Sequence, residues 1–334
     1  SAVMRVLVAV EAHSLSPCGL APPPCPSLTE VSDQAASCEW TQPLVELQLW
    51  TRIATLALTN QHEALALQSS HNALRLQGAN VTGQRCRLLK GDRQQEKWRL
   101  LSVAAAVQGQ AVARRHGHGS LALTLATDAF LQSARFGERA GSVALVLQAV
   151  RHMWNVCASV APCPLGRAPL RAPLIALFTI VSNSCGSQRL RQKVLHQHQN
   201  FPSVDADFQS YFLLVRVIGS GGAAWGEEAL AAWTRLALLM SQIHEDTGDL
   251  GAAMATVNHA LSSTPRGNHR LPLYRRRVWL KTRLGQALEL ESARFREGGE
   301  RACARAWLSL ALAHPHPAQQ LLCYRHALLA LQVP

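Results

Sequence analysis

Apolar residues recur along most of this chain at the spacing of amphipathic helices. Between Glu227 and Glu245, the side chains of Leu236, Met240 and Ile243 fall on one face because their spacing follows the helical period of about 3.6 residues. Ala and Leu dominate the composition, whereas strong strand formers occur only in scattered short runs. The pattern therefore predicts an all-α protein.

The stretch that follows this helix has the spacing of one helical hairpin of the tetratricopeptide type. Gly248 supplies the permissive backbone of a turn, and Asp249 can cap a second helix. On that helix two small residues allow close packing, a valine fills the gap, and a proline ends the helix. These repeat-packing positions are Gly248, Ala253, Val257, Ala260 and Pro265. A hairpin of about 34 residues buries little alone, so stacked neighbours are expected.

Further copies occur at matching intervals. The second clear copy places residues 60–63 as the turn between two helices, with packing positions Trp50, Ala54, Ala66 and Ala73. Near the C-terminus Trp307 and Ala311 precede Tyr324 and Ala327, and one hairpin, Leu273–Phe295, fits before them. Degenerate copies are predicted at Trp98–Ala113 with Leu121–Phe136, and at Ser142–Val156 with Pro173–Ser182. The predicted fold is a tetratricopeptide-like α-solenoid of antiparallel hairpins.

Proline, glycine and polar clusters divide the chain. We predict loops at residues 17–26, 78–91, 162–173 and 185–208. The predicted regions are 1–40 (N-terminal helix and proline-rich loop), 41–160 (repeats), 161–222 (linker with a short helix and a glycine loop) and 223–334 (repeats). Because the sequence starts at Ser1 with an amphipathic stretch, we expect a piece of a longer protein.

The chain is basic, with 33 Lys plus Arg against 21 Asp plus Glu and a formal charge of +12. The cations are dispersed with few aromatics among them, which favours acidic protein partners over nucleic acid. One helix, Leu273–Leu284, concentrates the residues that we consider for partner binding: Arg275, Arg276, Arg277, Trp279, Lys281 and Arg283. Calmodulin or an acidic surface could bind it. The alternative is a repeat helix with an arginine-rich outer face.

Cysteine usage and hydropathy indicate in which cellular compartment the protein is found. Nine cysteines without a C-x-x-C pair indicate a reducing, intracellular setting with free thiols. The pairs Cys18/Cys25 and Cys157/Cys163 are the alternatives for a disulfide. No uninterrupted apolar run reaches the roughly 18 residues that a membrane helix needs, so no membrane contact is expected.

One segment has the pattern of a cofactor site. Gly219–Ala224 reads G-x-G-x-x-A, after the strand-like run Tyr211–Ile218 and before a helix, which is the context of a dinucleotide-binding loop. A dinucleotide-binding enzyme is thus the alternative function, but it requires further parallel strands that the pattern lacks. Histidines 116, 118, 196, 198, 314 and 316 lack nearby ligands and are expected to be solvated. No catalytic motif, cofactor or metal site is predicted.

Several runs of residues carry a resemblance to a known family. They are Arg5–Glu11, Cys38–Trp40, Pro43–Gln48, Ala129–Phe130, Ser133–Phe136, Ala140–Ser142, Ala149–Asn155, Cys323–Tyr324, Ala327 and Ala330–Gln332. In order and over nearly the whole chain, they resemble the cilia- and flagella-associated protein family also called tetratricopeptide repeat protein 40. The glycine loop at Gly219 and the stretch Cys185–Gln199 match this family less well.

The resemblance implies an interior segment of a very large α-helical scaffold in the axoneme of cilia and flagella. Members stand in a projection of the central apparatus, attached to one central-pair microtubule directly or through neighbours. They have no catalytic role there. They hold other projection proteins, including calmodulin-containing neighbours, and help regulate ciliary beating.

Overall fold

The computed structural model describes residues 5–6, 8–10, 26–79, 90–117, 119–197, 227–264, 268–285, 300–313 and 317–331. Every regular element within these ranges is helical, and no strand occurs among them. Neighbouring helices pack against one another in sequence order. The predicted all-α, solenoid-like fold class is therefore confirmed.

The longer elements of the described ranges follow in chain order. They are α1 (Leu28–Ala36), α2 (Pro43–Thr59), α3 (Glu63–Arg75), α4 (Lys90–His116), α5 (Ser120–Arg139), α6 (Val143–Cys157), α7 (Pro164–Arg167), α8 (Arg171–Gln197), α9 (Glu227–Asp246), α10 (Leu250–Ser263), α11 (Leu271–Arg283), α12 (Glu300–Ala313) and α13 (Pro317–Leu331). Short 3-10 turns occupy Leu76–Gly78, Ala168–Leu170 and Asn268–Arg270.

The chain divides into two compact units. The first comprises Ser1–Val160 and Ile175–Trp225. Within it α2 packs on α3, α3 on α4, α4 on α5 and α5 on α6, and α4 also touches α2 and α6. Contact with the next helix and the next but one is typical of stacked hairpins. Trp50, Ile53, Leu101 and Phe136 are among the apolar side chains buried in its core.

The second unit comprises Ala161–Leu174 and Gly226–Pro334. Helix α10 packs against both α9 and α11, and α9 and α11 also contact each other. Helix α12 packs against α13. The fully buried side chains of Trp233 and Trp307 are the largest in this unit's core. The predicted partner helix after α11, up to Phe295, falls outside the described residues.

Two predicted loops are wrong in part. Residues 164–173 form α7, a 3-10 turn and the start of α8, each with a proline in its first turn. Proline is tolerated there because the N–H it lacks has no partner within the helix. Helix α8 then continues to Gln197, so 185–197 is helical as well. The polar composition was misleading because Gln, Arg and Lys are good helix formers.

Helix α1 was not predicted. Ser27 and Glu30 form a capping box, in which the Ser27 hydroxyl accepts from the Glu30 N–H and the Glu30 carboxylate accepts from the Ser27 N–H. Val31 and Ala35 are fully buried one turn apart. The S-x-x-E pattern before an apolar face was a visible signal for a helix start, but the neighbouring prolines masked it.

Candidate functional site

Three hairpins turn in the same way. A residue with positive φ follows the first helix of each by two positions: Gln61 (φ 61°), Gly141 (φ 64°) and Gly248 (φ 77°). At Gly248, its own N–H donates to the Glu245 carbonyl and the next N–H donates to the His244 carbonyl, both at 2.8 Å. The equivalent pair of bonds closes the other two turns. This is the Schellman arrangement, which satisfies the last carbonyls of a helix.

The α9–α10 turn also has the predicted cap. One carboxylate oxygen of Asp249 accepts from the Ala252 N–H at 2.8 Å. Capping satisfies an N–H that has no partner within the helix, and the negative charge lies at the positive end of α10. The prediction that Asp249 caps the second helix is confirmed.

The packing positions of the second helix are the fifth, ninth and twelfth residues after the positive-φ residue. In all three hairpins these side chains are fully buried: Ala66, Ser70 and Ala73 on α3; Val146, Val150 and Met153 on α6; Ala253, Val257 and Ala260 on α10. The positions are the same, although the residues at them differ in size. Burial in register defines the hairpin here, rather than alanine itself.

The remaining predicted packing residues have mixed environments. Trp50 and Ala54 on α2 are buried, as is Ala327 on α13. Tyr324 is only half-buried. Pro265 lies outside the described residues.

The α5–α6 hairpin is closely packed at one glycine. Gly137 on α5 is buried, and a Cβ atom added there would lie 3.1 Å from both the Leu145 Cβ and the Val146 backbone nitrogen. Such distances are tighter than ordinary contact, so a side chain would push the helices apart. The predicted pairing is wrong here, because the sequence analysis placed Leu121–Phe136 and Ser142–Val156 in two different degenerate copies, whereas the turn at Gly141 joins them in one hairpin. The glycine four residues before Gly141 was the available signal for close approach.

Helix α11 carries the residues considered for partner binding, and its central arginine faces inward. Arg276 donates through Nε to the Ser241 hydroxyl at 3.0 Å and through Nη2 to the Glu245 carboxylate. Arg283 lies 3.7 Å from the same carboxylate. Since Ser241 and Glu245 are one turn apart on α9, these bonds brace α11 against α9. Charged hydrogen bonds of this kind are stronger than neutral ones.

Trp279 lies between two of these cations. The guanidinium carbons of Arg276 and Arg283 lie 4.7 Å and 5.1 Å from the centre of its ring. Both arginines are thus within cation–π range of one indole. The tryptophan holds together the ion-paired cluster and is half-buried, so it is not a free anchor for a partner.

The predicted arginine-rich outer face of this helix is therefore wrong for its central residue. Arg275, Arg277 and Lys281 are half-buried beside Arg276, and only Arg283 of the basic set is exposed. The cause is Glu245, which lies on α9 and draws Arg276 inward. Periodicity within α11 alone could not indicate that neighbour.

A second ion pair was missed by the sequence reasoning. Arg167 on α7 donates through Nε and Nη2 to the two carboxylate oxygens of Asp246, both at 2.8 Å, and through Nη1 to the Ala161 carbonyl at 2.8 Å. This two-pronged geometry is the strongest that Arg offers to a carboxylate. It fastens the segment 161–174 to the end of α9 within the second unit.

The two most perturbed titratable groups lie within the helix packing. Burial, with a smaller effect from Arg151, lowers the pKa of His152 to about 4, and burial raises the pKa of Cys157 to about 12. His152 stacks on Phe130 with 5.7 Å between ring centres. Cys157 and Cys163 are both free thiols. A neutral stacked imidazole and a protonated thiol are suited to packing rather than to nucleophilic chemistry.

Among the described residues, no group of three or more His, Cys, Asp or Glu side chains is placed to hold a metal. Gly219–Ala224 and the histidines 118, 198, 314 and 316 lie outside the described residues. The dinucleotide alternative therefore stays a sequence-based hypothesis.

One helical stretch departs from the expectation on membranes. Pro164–Ser184 is long and apolar enough, by length and composition only, to cross a bilayer. A core helix of a soluble protein meets the same criterion, so the finding is weak evidence for a membrane span. No known family model matches this sequence.

Proposed function

We propose that this chain is a structural scaffold that works through protein–protein contacts along its helical hairpins. The observation that carries the proposal is the recurrence of one turn and one set of buried positions in three hairpins. Arrays of this type present extended surfaces that bind other proteins. The perturbed groups described above, His152 and Cys157, serve that packing.

We further propose that the scaffold belongs to the central apparatus of cilia and flagella, in a projection on one central-pair microtubule. The support is the ordered resemblance of runs such as Ser133–Phe136, Ala149–Asn155 and Ala330–Gln332 to that family. Its partners would be other projection proteins and calmodulin, with tubulin contacted directly or through neighbours. In this role the chain would help regulate ciliary beating without catalysing a reaction.

The test is localisation of the full protein in motile cilia. A fluorescent tag on the endogenous protein should label the axoneme along the central pair, and the label should remain after detergent removes the membrane. Proximity labelling from the same tag should recover central-apparatus proteins in preference to those of the outer doublets. A tag found only in the cytoplasm, or extracted with the membrane, would reject the ciliary assignment.

A further inference from the structure

The hairpin α12–α13 leaves one helical face uncovered. On α13, Leu321, Arg325, Leu328 and Leu329 are exposed and follow the i, i+4, i+7, i+8 spacing of a single face, and Leu322 lies at its edge. Leu321 is 69% exposed and Leu328 60%. We call these five residues the leucine face. A solvated helix face normally carries polar side chains, so contiguous exposed leucines indicate an interaction surface.

The opposite side of α13 is already used. Cys323, Ala327 and Ala330 are buried, and His326 stacks on Trp307 of α12 with 4.6 Å between ring centres. The leucine face is therefore additional to the residues that hold the hairpin together. Changing it should leave that packing intact.

The charged side chain within the leucine face is basic. Arg325 stands in its centre, and α13 contains no acidic residue. On the neighbouring helix α12 the exposed residues Arg301, Arg305, Leu308 and Leu312 also share a face, again combining arginine with leucine. A complementary surface must therefore be apolar with carboxylates beside its apolar stripe.

We propose that the leucine face of α13 is a docking surface for an acidic amphipathic helix of a partner protein. Leucines of that helix would pack against Leu321 and Leu328, while a Glu or Asp pairs with Arg325. The proposal rests on the proposed scaffold role but not on its ciliary setting.

Two other occupants fit the surface less well. A second copy related by two-fold symmetry would bring its own cationic face against Arg325, and like charges at close range repel. A lipid surface would have to bury the central arginine among acyl chains, where a cation is costly. A carboxylate-bearing helix satisfies both the apolar area and the charge.

The experiment uses the purified full chain and three synthetic helical peptides of about 20 residues. All three carry the same leucine stripe, and the flanking positions are Glu, Gln or Lys throughout. Fluorescence anisotropy should show the Glu peptide binding about tenfold more tightly than the Lys peptide. Equal affinity for the Glu and Lys peptides, or no binding of the Glu peptide, would overturn the proposal.

Variants locate the binding site. Leu321→Ser with Leu328→Ser should weaken the Glu peptide by about tenfold or more, because exposed leucines supply the contact area. The matched control is Leu121→Ser with Leu125→Ser on α5, where the leucines are 71% and 47% exposed, and it should bind as the parent does. Arg325→Glu should reverse the preference between the Glu and Lys peptides. An unchanged preference would overturn the charge pairing.

Two further measurements decide between occupants. Sedimentation of the full chain with vesicles of phosphatidylcholine and phosphatidylserine tests the lipid surface, and analytical ultracentrifugation tests self-association. If either signal is lost with the Leu321/Leu328 variant while no peptide binds, the face belongs to a membrane or to a second copy and the proposal fails. A protein that binds the Glu peptide but never enters axonemes would reject only the ciliary function.

Discussion

The hairpins α5–α6 and α9–α10 share a turn but divide large and small side chains oppositely between their helices. On the second helix, Val146 and Met153 of α6 stand where α10 has Ala253 and Ala260. On the first helix, four residues before the positive-φ glycine, α5 has Gly137 where α9 has His244. All these positions are buried. The larger side chains at these positions thus lie on the second helix in α5–α6 and on the first helix in α9–α10.

This difference shows that the shared turn and register determine which positions are buried but not the size of the residue at each, since α2–α3 has alanine at Ala57, Ala66 and Ala73. A core tolerates exchanged side chains when total volume and pattern are kept. Where α6 carries valine and methionine, α5 has glycine. A Cβ atom added at Gly137 would lie only 3.1 Å from the Val146 backbone nitrogen. In α9–α10 the position equivalent to Gly137 holds the buried His244. Exchanging these residues between hairpins should therefore be costly.

The largest effect is expected from placing the α9 residue into α5. Gly137→His should lower the free energy of unfolding by about 3 kcal/mol, because the side chain has no room against Leu145 and Val146. Urea unfolding followed by circular dichroism measures the change. Combining it with Val146→Ala should recover part of the loss. The matched control is Gly251→His at an exposed helical position, and equal destabilisation by both would refute the close contact.

The next effect comes from enlarging a buried position on the second helix of the other hairpin. Ala260→Leu should destabilise by roughly 1 to 3 kcal/mol, because a buried contact between α9 and α10 would be overpacked. Ala255→Leu, at an exposed position of the same helix, is the control and should be nearly neutral. If thermal melting were the same for both variants, the assigned contact at Ala260 would be wrong.

A smaller effect is expected from acid. The pKa of His152 is lowered to about 4 in the folded protein, whereas in the unfolded chain it is about 6.5. Between these two pH values the histidine is protonated in the unfolded chain but stays neutral in the folded protein. Its stabilising contribution is complete above the unfolded pKa and is lost as pH falls toward the folded pKa, by roughly 2 kcal/mol at about pH 5. His152→Phe should flatten this dependence. His71→Phe, at an exposed site, should leave it unchanged, and an equally steep profile in His152→Phe would contradict the assignment.

Much of this fold could be predicted because helical periodicity, the positive-φ turn at Gly248 and the cap at Asp249 are local properties. The α5–α6 hairpin was assigned to two different copies because α6 lacks the alanines of the repeat pattern, and the signal for close approach, Gly137, lies on α5. The bond from Arg276 to Glu245 joins residues 31 apart. It depends on which helices become neighbours, and that information does not reside in either helix alone.

The smallest expected effect separates the turn from the packing. Gly248 has φ 77° with open space around a hypothetical Cβ, so Gly248→Ala should cost only the backbone strain of a left-handed residue, about 1 kcal/mol. Gln61 has the same conformation at φ 61° with a side chain, and Gln61→Gly should therefore stabilise by up to about 1 kcal/mol. Gly78→Ala, which also has open space but no positive φ, controls for loss of glycine in the unfolded chain. Urea unfolding should therefore show that Gly248→Ala lowers the free energy of unfolding and Gln61→Gly raises it. Changes of the same sign for the two variants would contradict a shared turn geometry.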